Sequence, residues 1–274
     1  MFQTVISALN EGFVQTLKLF VVTLVGSIPL GLIICFGSMS RWAPLGLPGR
    51  RLAARKAALD RQLEEDGEPI VDGGRVLSPV SARKKSGSLG FWSKVLLGFK
   101  PISLISRLIV WIIRGTPLLV QLFVIFYGLP SLGIVLSPFV SGVLGLSLCQ
   151  GAYNSEIVRA AILSVPSGQW EAAKALGMTR AQTYMRIVIP QAARTAVPSL
   201  GNQFIGLTKD TSLAGMLTIP ELLQTGQQIT AVVYEPLALY LEVAFVYLLM
   251  NSALTVLQSK LEKRLSKHVQ QRTN

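Results

Sequence analysis

The chain has 274 residues, of which 50% are hydrophobic and only 15% are charged. Because soluble domains carry about a quarter of charged residues, this composition favours an integral membrane protein over a soluble one. The net charge is nevertheless +12, from 26 Lys and Arg against 14 Asp and Glu. Two cysteines exclude a secreted disulfide scaffold, and a single histidine, His268, excludes a histidine-based metal site or catalytic triad.

Five apolar stretches are long enough for the roughly 20 residues that a membrane-spanning helix needs. They comprise residues 13–37, 104–129, 138–165, 192–213 and 236–257. The fourth is the weakest, because it contains several polar and charged residues. We therefore expect an all-α fold, an integral membrane helical bundle with five transmembrane helices. No cleavage signal precedes the first span, so we expect it to be retained.

Basic residues are concentrated in the segments that follow the first, third and fifth spans. Residues 41–100 contain twelve Lys and Arg, the loop after the third span contains Lys174, Arg180 and Arg186, and residues 259–274 contain five more. The connections 130–137 and 214–235 contain none. Because Lys and Arg accumulate on the cytoplasmic side of membrane proteins, we expect an outside N-terminus and a cytoplasmic C-terminus.

The segment 41–100 differs from the rest of the chain, with twelve basic and six acidic residues and hence a net charge of +6. Within it, 50–66 predicts a short helix, 69–76 a small hairpin around an Asp-Gly-Gly turn and 78–90 a flexible stretch. It is a cytoplasmic loop close to anionic membrane lipids or a regulatory or docking insert. Nucleic acid is disfavoured as a partner, because tryptophans occur only at its margins.

We divide the chain into four regions on these patterns. Residues 1–40 hold the first span, residues 41–100 form the basic insert, residues 101–258 form the core with four spans, and residues 259–274 form a basic tail. Within the core, the loop 166–190 joins the third and fourth spans. Its composition predicts a helix over 169–176, a stop at Gly177 and a second helix that opens at Thr179.

The order of residues in this loop is more specific than its shape. Glu171-Ala172-Ala173 is followed by three residues, Gly177, nine residues and then Ile-Val-Ile-Pro (187–190). Further blocks occur at 114–123 (RGTPLLVQLF), 151–159, 165–173, 198–205, 207–213 and 219–223. Over about 100–257 and the first span, this pattern resembles the permease subunits of bacterial polar amino acid ABC importers. The insert 41–100 and Ile189, where the family usually has Leu, are the departures.

The resemblance implies a type I ABC importer permease fold in the bacterial inner membrane and uptake of polar amino acids by alternating access. It also implies three partners, which are a separate ABC ATPase subunit, a second copy or a homologous permease, and an extracytoplasmic solute-binding protein. The helix carrying Glu171, Ala172, Ala173 and Gly177 would couple to the ATPase, although Glu171 could instead be an ordinary surface charge. The sequence lacks a Gly-x4-Gly-Lys-Ser/Thr loop. We thus expect no enzyme activity and no cofactor in this chain, with ATP and Mg on the partner.

Polar side chains at bilayer depth are costly unless they face a partner or a watery cavity. Asn202 and Gln203 lie midway along the fourth span. There they either hydrogen-bond an amino acid substrate or join helices through hydrogen bonds of their side-chain amides. Thr116 and Leu118 flank Pro117, which interrupts the second span, and we expect both on the same path. Because these positions offer no carboxylate, we expect a neutral or zwitterionic substrate rather than arginine or lysine.

Other charged residues have simpler explanations. Glu156 and Arg159 lie one helical turn apart and predict an ion pair. Lys209 and Asp210 predict a local pair or a contact with the binding protein, and Arg107 predicts a side chain that reaches the cytoplasmic interface.

Two other classes of protein remain open. A motor-independent channel or secondary amino acid transporter would leave the 171–190 pattern unexplained. A membrane-tethered scaffold would function through its 41–100 insert.

Deletion of residues 41–100 separates the importer from the scaffold. The importer retains at least basal uptake of labelled amino acid in cells, because its core pattern lies outside the insert. Loss of all activity in a variant that still reaches the membrane at the wild-type level would contradict the importer.

Overall fold

The computed structural model describes residues 2–39, 70–72, 75–77 and 101–266. The first half comprises α1 (Phe2–Met39), β1 (Ile70–Asp72), β2 (Arg75–Leu77), α2 (Pro101–Gly115), α3 (Leu118–Phe123), a π-helical turn (Val124–Gly128) and a 3-10 turn (Leu129–Leu132). The second half comprises α4 (Pro138–Leu163), α5 (Ser167–Ala175), α6 (Arg180–Thr183), a π-helical turn (Tyr184–Val188), α7 (Ile189–Asp210), a 3-10 segment (Thr211–Leu217), α8 (Leu222–Val233) and α9 (Pro236–Ser266). The predominantly helical fold is as predicted, and α9 continues beyond the predicted end of the fifth span.

The insert contributes one hairpin to the described structure. Its strands β1 and β2 pair antiparallel, with Val71 opposite Val76 and Asp72 opposite Arg75, which confirms the hairpin expected at the Asp-Gly-Gly turn. The predicted helix at 50–66 and the stretch 78–90 lie outside the described residues. The chain divides into two units, residues Ser38–Ile105 and the remainder, Met1–Gly37 with Ser106–Asn274.

Two described helices are long and apolar enough to cross a membrane on their own, Ser7–Met39 within α1 and Pro236–Arg264 within α9. A third span results if α2 and the helical segment after it, Leu118–Leu132, are counted together across their 108° bend. The helices α4 and α7 occupy the third and fourth predicted spans but do not reach that apolarity, because polar side chains such as the buried Gln150 and Asn154 interrupt α4. The count of five spans therefore remains a prediction.

A continuous apolar cluster joins α1, α3, α4, α7 and the 3-10 segment. It consists of Leu19, Phe20, Leu122, Leu146, Leu207, Ala214, Leu217 and Ile219. Since buried apolar side chains supply the main packing contacts of a helix bundle, this cluster packs α4 and α7 against each other.

The bend between α2 and α3 follows from Pro117. A proline has no N–H to donate, so the carbonyl of Ile113, four residues earlier, loses its helical partner. The side-chain Nε2 of Gln121 donates to that carbonyl at 2.7 Å and to the carbonyl of Thr116 at 3.0 Å. The interruption of the second span expected at Pro117 is thus present, and a glutamine one turn further along pairs the backbone carbonyls that it frees.

The buried carboxylate of Glu221 holds the start of α8 through several hydrogen bonds. Glu221 is fully buried and caps the start of α8, where its two oxygens accept from the backbone N–H groups of Leu223 at 2.9 Å and Gln224 at 2.6 Å. The Tyr247 hydroxyl of α9 donates to the same carboxylate at 2.8 Å. The next residue, Leu222, donates its N–H to Thr16 Oγ1 of α1 at 3.0 Å. The start of α8 is thereby connected to both α1 and α9.

Glu221→Ala should lower the free energy of unfolding by about 3 kcal/mol, because it leaves three buried donors without their acceptor. Thermal unfolding in detergent measures this as a lowered Tm. The Tm of Glu221→Gln should lie between those of the wild type and Glu221→Ala, because its amide oxygen still accepts a hydrogen bond. The matched control Glu242→Ala removes an exposed carboxylate and should change the stability by less than about 0.5 kcal/mol. Equal Tm values for Glu221→Ala and Glu242→Ala would contradict the capping role.

Candidate functional site

The first helix of the loop between α4 and α7, α5, stops before Gly177, as the sequence predicts. Gly177 has a φ of +69°, and its N–H donates to the carbonyl of Lys174 at 3.0 Å. The N–H of Met178 donates to the carbonyl of Ala173 at 3.0 Å. These two bonds form the Schellman motif, whose left-handed residue is usually glycine. The predicted helix stop at Gly177 is confirmed.

The second helix of the loop, α6, begins with its own N-terminal cap. Thr179 Oγ1 accepts from the N–H of Gln182 at 3.3 Å, and the Thr179 N–H donates to Gln182 Oε1 at 2.8 Å. This reciprocal pair is a capping box, and it confirms the helix start predicted at Thr179. With both ends capped, the turn between α5 and α6 has a defined backbone path.

The surface of α5 differs in one respect from the expectation. Glu171 and Ala172 are exposed, but Ala173 is fully buried in the chain's own packing. Leu176 is 79% exposed at the end of the helix. The surface that a partner could reach therefore includes Glu171, Ala172 and the segment 174–177, but not Ala173. Sequence reasoning missed Leu176, although an apolar residue directly before a helix stop is a recognisable signal.

Gln203 belongs to a chain of hydrogen bonds between α7 and α4. Its Nε2 donates to Gln150 Oε1 at 2.9 Å, and Gln150 Nε2 donates to Asp210 Oδ2 at 3.1 Å. Gln150 is 1% exposed, whereas Gln203 and Asp210 are partly exposed. We call Gln203, Gln150 and Asp210 the amide chain. It connects polar side chains of α4 and α7 inside the bundle.

The sequence contained a signal for this arrangement. Gln203 and Asp210 are seven residues apart, which places them on one face of α7. Gly206 lies between them, and a Cβ at that position would meet nothing within 4 Å. The sequence predicts that Lys209 and Asp210 form a local pair or contact the binding protein. The hydrogen bond of Asp210 goes instead to Gln150, because neighbouring residues in a helix point in different directions.

Asn202 is directed to a different neighbour. Its Oδ1 accepts from Gln258 Nε2 of α9 at 3.1 Å, and the same nitrogen donates to the carbonyl of Pro198 at 3.2 Å. A Cβ on Gly201 would lie 2.6 Å from Gln258 Cδ, so a larger residue there would require the Gln258 side chain to shift. Asn202 thus contributes to packing between α7 and α9, and the structure does not bring it together with the amide chain.

The two remaining candidate path residues lie at the bend between α2 and α3. Thr116 Oγ1 donates to the carbonyl of Ile112 at 2.9 Å and accepts from Gln121 at 3.0 Å. Leu118 is half-buried against the apolar cluster that includes Leu207. Leu118 therefore reaches the same packed region as α7, whereas the hydroxyl of Thr116 is occupied locally.

Residues 86–267 match the family described as the binding-protein-dependent transport system inner membrane component. The chain belongs to this family. It is 47% identical over 171 residues to the L-cystine transport system permease protein TcyB of Bacillus subtilis (strain 168), covering 62% of this chain and 73% of that protein. It is 36% identical over 169 residues to the probable glutamine ABC transporter permease protein GlnM of the same strain, covering 62% of this chain and 78% of that one.

A solved structure, titled "Crystal structure of an amino acid ABC transporter with histidines", resembles the whole chain with a TM-score of 0.72 and 28% identity, covering 96% of both chains. The chain is therefore a permease component of an ABC transport system, with the type I permease fold, and an inner membrane protein.

Gln203→Glu should change the substrate range measured as uptake into proteoliposomes. A carboxylate at this position attracts a cationic side chain and would raise uptake of arginine relative to neutral amino acids by about tenfold. Gln228→Glu makes the same chemical change at an exposed position of α8 and should leave the preference unaltered. Unchanged uptake and preference in Gln203→Glu would contradict a substrate contact at Gln203.

Proposed function

We propose that this chain is the membrane-spanning subunit of an ATP-driven importer of polar amino acids. The observation that carries the proposal is the loop between α4 and α7, whose capped and exposed helix α5 sits in a chain that belongs to the transport family. The names of its relatives, which include permeases for cystine and glutamine, support amino acids as the substrate class. A channel or secondary transporter would leave the exposed loop without a role.

In this proposal ATP binds and is hydrolysed on a separate ATPase subunit, and α5 docks into it. The exposed Leu176 supplies an apolar anchor, and Glu171 supplies a charge for a basic residue of the partner. Gly177 adopts a φ of +69°, which lets the chain turn sharply directly behind the docked helix. ATPase closure would then move α5 and, through α6 and the π-helical turn, the helix α7.

The proposed orientation has the N-terminus outside and the C-terminus in the cytoplasm. It is supported by the basic residues of the loop, Lys174, Arg180 and Arg186, and by the absence of Lys and Arg from 130–137 and 214–235. The positive residues then lie on the same side as ATP. An extracytoplasmic binding protein would deliver substrate to the opposite side.

The substrate half-site in this proposal is the amide chain, with Gln203 as its contact and Leu118 as an apolar neighbour. The open space at Gly206 gives room beside Gln203. A second copy of this chain, or a homologous permease, would complete the path from the other side. A zwitterionic amino acid suits the site, because Gln203 offers a neutral amide and Asp210 offers one carboxylate already bonded to Gln150.

Glu171→Arg should reduce copurification of the ATPase subunit of the same transporter by at least about tenfold, because it places like charges together in the docked interface. Gly177→Pro should do the same, since proline fixes φ near −65° and cannot take the observed value. Quantitative immunoblotting after affinity purification of the permease measures the ratio of the two subunits.

Glu235→Arg is the matched control. It makes the same charge reversal at an exposed residue in the connection between α8 and α9, far along the chain from α5. It should leave the ATPase ratio unchanged. Equal ratios for Glu171→Arg and Glu235→Arg would refute the docking role of α5.

A further inference from the structure

A cavity of about 690 Å³ lies between α2 and α4 and shares no lining residue with the amide chain. Three arginines line it, Arg107 and Arg114 from α2 and Arg159 from α4, and Glu156 is the single acid among the lining residues. Three positive charges against one negative charge leave a net charge of +2. We call this space the arginine cavity.

The one carboxylate is fully used by one of the three guanidiniums. Arg159 Nε donates to Glu156 Oε1 at 2.9 Å, and Arg159 Nη2 donates to Glu156 Oε2. The ion pair predicted from their spacing is thereby confirmed. Such a bidentate pair occupies both carboxylate oxygens and fixes their geometry. The charges of Arg107 and Arg114 also act on this carboxylate, so one acid is shared by three guanidiniums.

Among the described residues, neither arginine of α2 forms a hydrogen bond or a direct ion pair with an acid, and both share the single charge of Glu156 with Arg159. The guanidinium of Arg114 lies 5.1 Å from the ring centroid of Tyr153, a cation–π contact that leaves its N–H donors free. Arg107 lines the same wall of the cavity, seven residues and therefore two helical turns earlier. Three guanidiniums thus surround one carboxylate, and the cavity keeps its net positive charge.

The surroundings of the cavity resemble a membrane interface. Trp111 lies between the two arginines on the same face of α2 and is 72% exposed, and exposed tryptophans are enriched where lipid headgroups begin. Val110 forms the base of the cavity, where it packs with Ile34 and Ala152. Glu156 and Arg159 lie within the last two turns of α4, which ends at Leu163. The α4 side of the cavity therefore extends to the end of that helix.

We propose that the arginine cavity binds a phosphate group, either the headgroup of an anionic phospholipid or a soluble phosphate. Guanidiniums match phosphate oxygens with paired N–H donors, and basic pockets between membrane helices hold anionic headgroups. Arg107 and Arg114 supply the free donors, and Arg159, oriented by Glu156, supplies further positive potential. The proposal does not depend on the transported substrate or on the coupling of α5 to an ATPase.

The test titrates the purified full-length chain in neutral detergent with phosphatidylglycerol and counts bound lipid by native mass spectrometry. The wild type should retain one lipid per chain in preference to phosphatidylcholine. The double variant Arg107→Gln/Arg114→Gln should bind about thirtyfold more weakly, given the usual contribution of each basic residue to binding anionic lipid. The matched control Arg186→Gln/Arg194→Gln removes two exposed arginines outside the cavity and should retain the lipid.

One substitution is expected to strengthen the binding of phosphatidylglycerol instead of weakening it. Glu156→Gln removes the only acid of the cavity and releases Arg159, so phosphatidylglycerol should bind more tightly than to the wild type. Melting curves recorded on each variant verify that it is folded.

Inorganic phosphate distinguishes the two sources of the ligand. If millimolar phosphate displaces phosphatidylglycerol and binds by itself in a manner lost in Arg107→Gln/Arg114→Gln, the ligand is a soluble phosphate. If phosphate does not compete, the ligand is the lipid. Equal lipid retention by Arg107→Gln/Arg114→Gln and by Arg186→Gln/Arg194→Gln, or no binding of either probe to the wild type, would overturn the proposal.

Discussion

Hydrogen-bond pairing inside an apolar bundle is the constraint on which this structure depends. A polar group without a partner in such surroundings costs several kcal/mol, so each interruption of a helix needs a donor or acceptor nearby. Gln121 meets that need at the Pro117 bend, where it donates to two backbone carbonyls. Glu221 meets it at the start of α8, where one carboxylate serves three donors. These side chains pair the backbone groups that the Pro117 bend and the start of α8 leave without helical partners.

The features that the sequence predicted are those governed by neighbours in the chain. The Gly177 stop, the Thr179 cap, the hairpin around Asp-Gly-Gly and the Glu156–Arg159 pair each depend on residues within a few positions of one another. Local sequence is sufficient for such elements, because backbone geometry alone brings these groups together.

The features that it missed depend on contacts between distant helices. Gln150 and Asp210 are 60 residues apart, and Glu221 and Tyr247 belong to different helices. No periodicity links such positions, so only packing reveals the pairing. The two adjacent amides show the same limit, since Gln203 turns towards α4 and Asn202 towards α9. From the sequence alone, each of the two amides could contact substrate or join helices, because both lie midway along one polar span.

The amide chain has a direction that the Asp210 carboxylate imposes. An ionised carboxylate only accepts hydrogen bonds, so it turns the NH2 group of Gln150 towards itself and leaves the Gln150 oxygen to face Gln203. Gln203 must then use its own NH2 group inwards, and its carbonyl oxygen becomes the atom turned away from Gln150. An acceptor in that position complements an ammonium group and repels a carboxylate. If Gln203 contacts the substrate as proposed, a charge two side chains away determines which end of a zwitterion it favours.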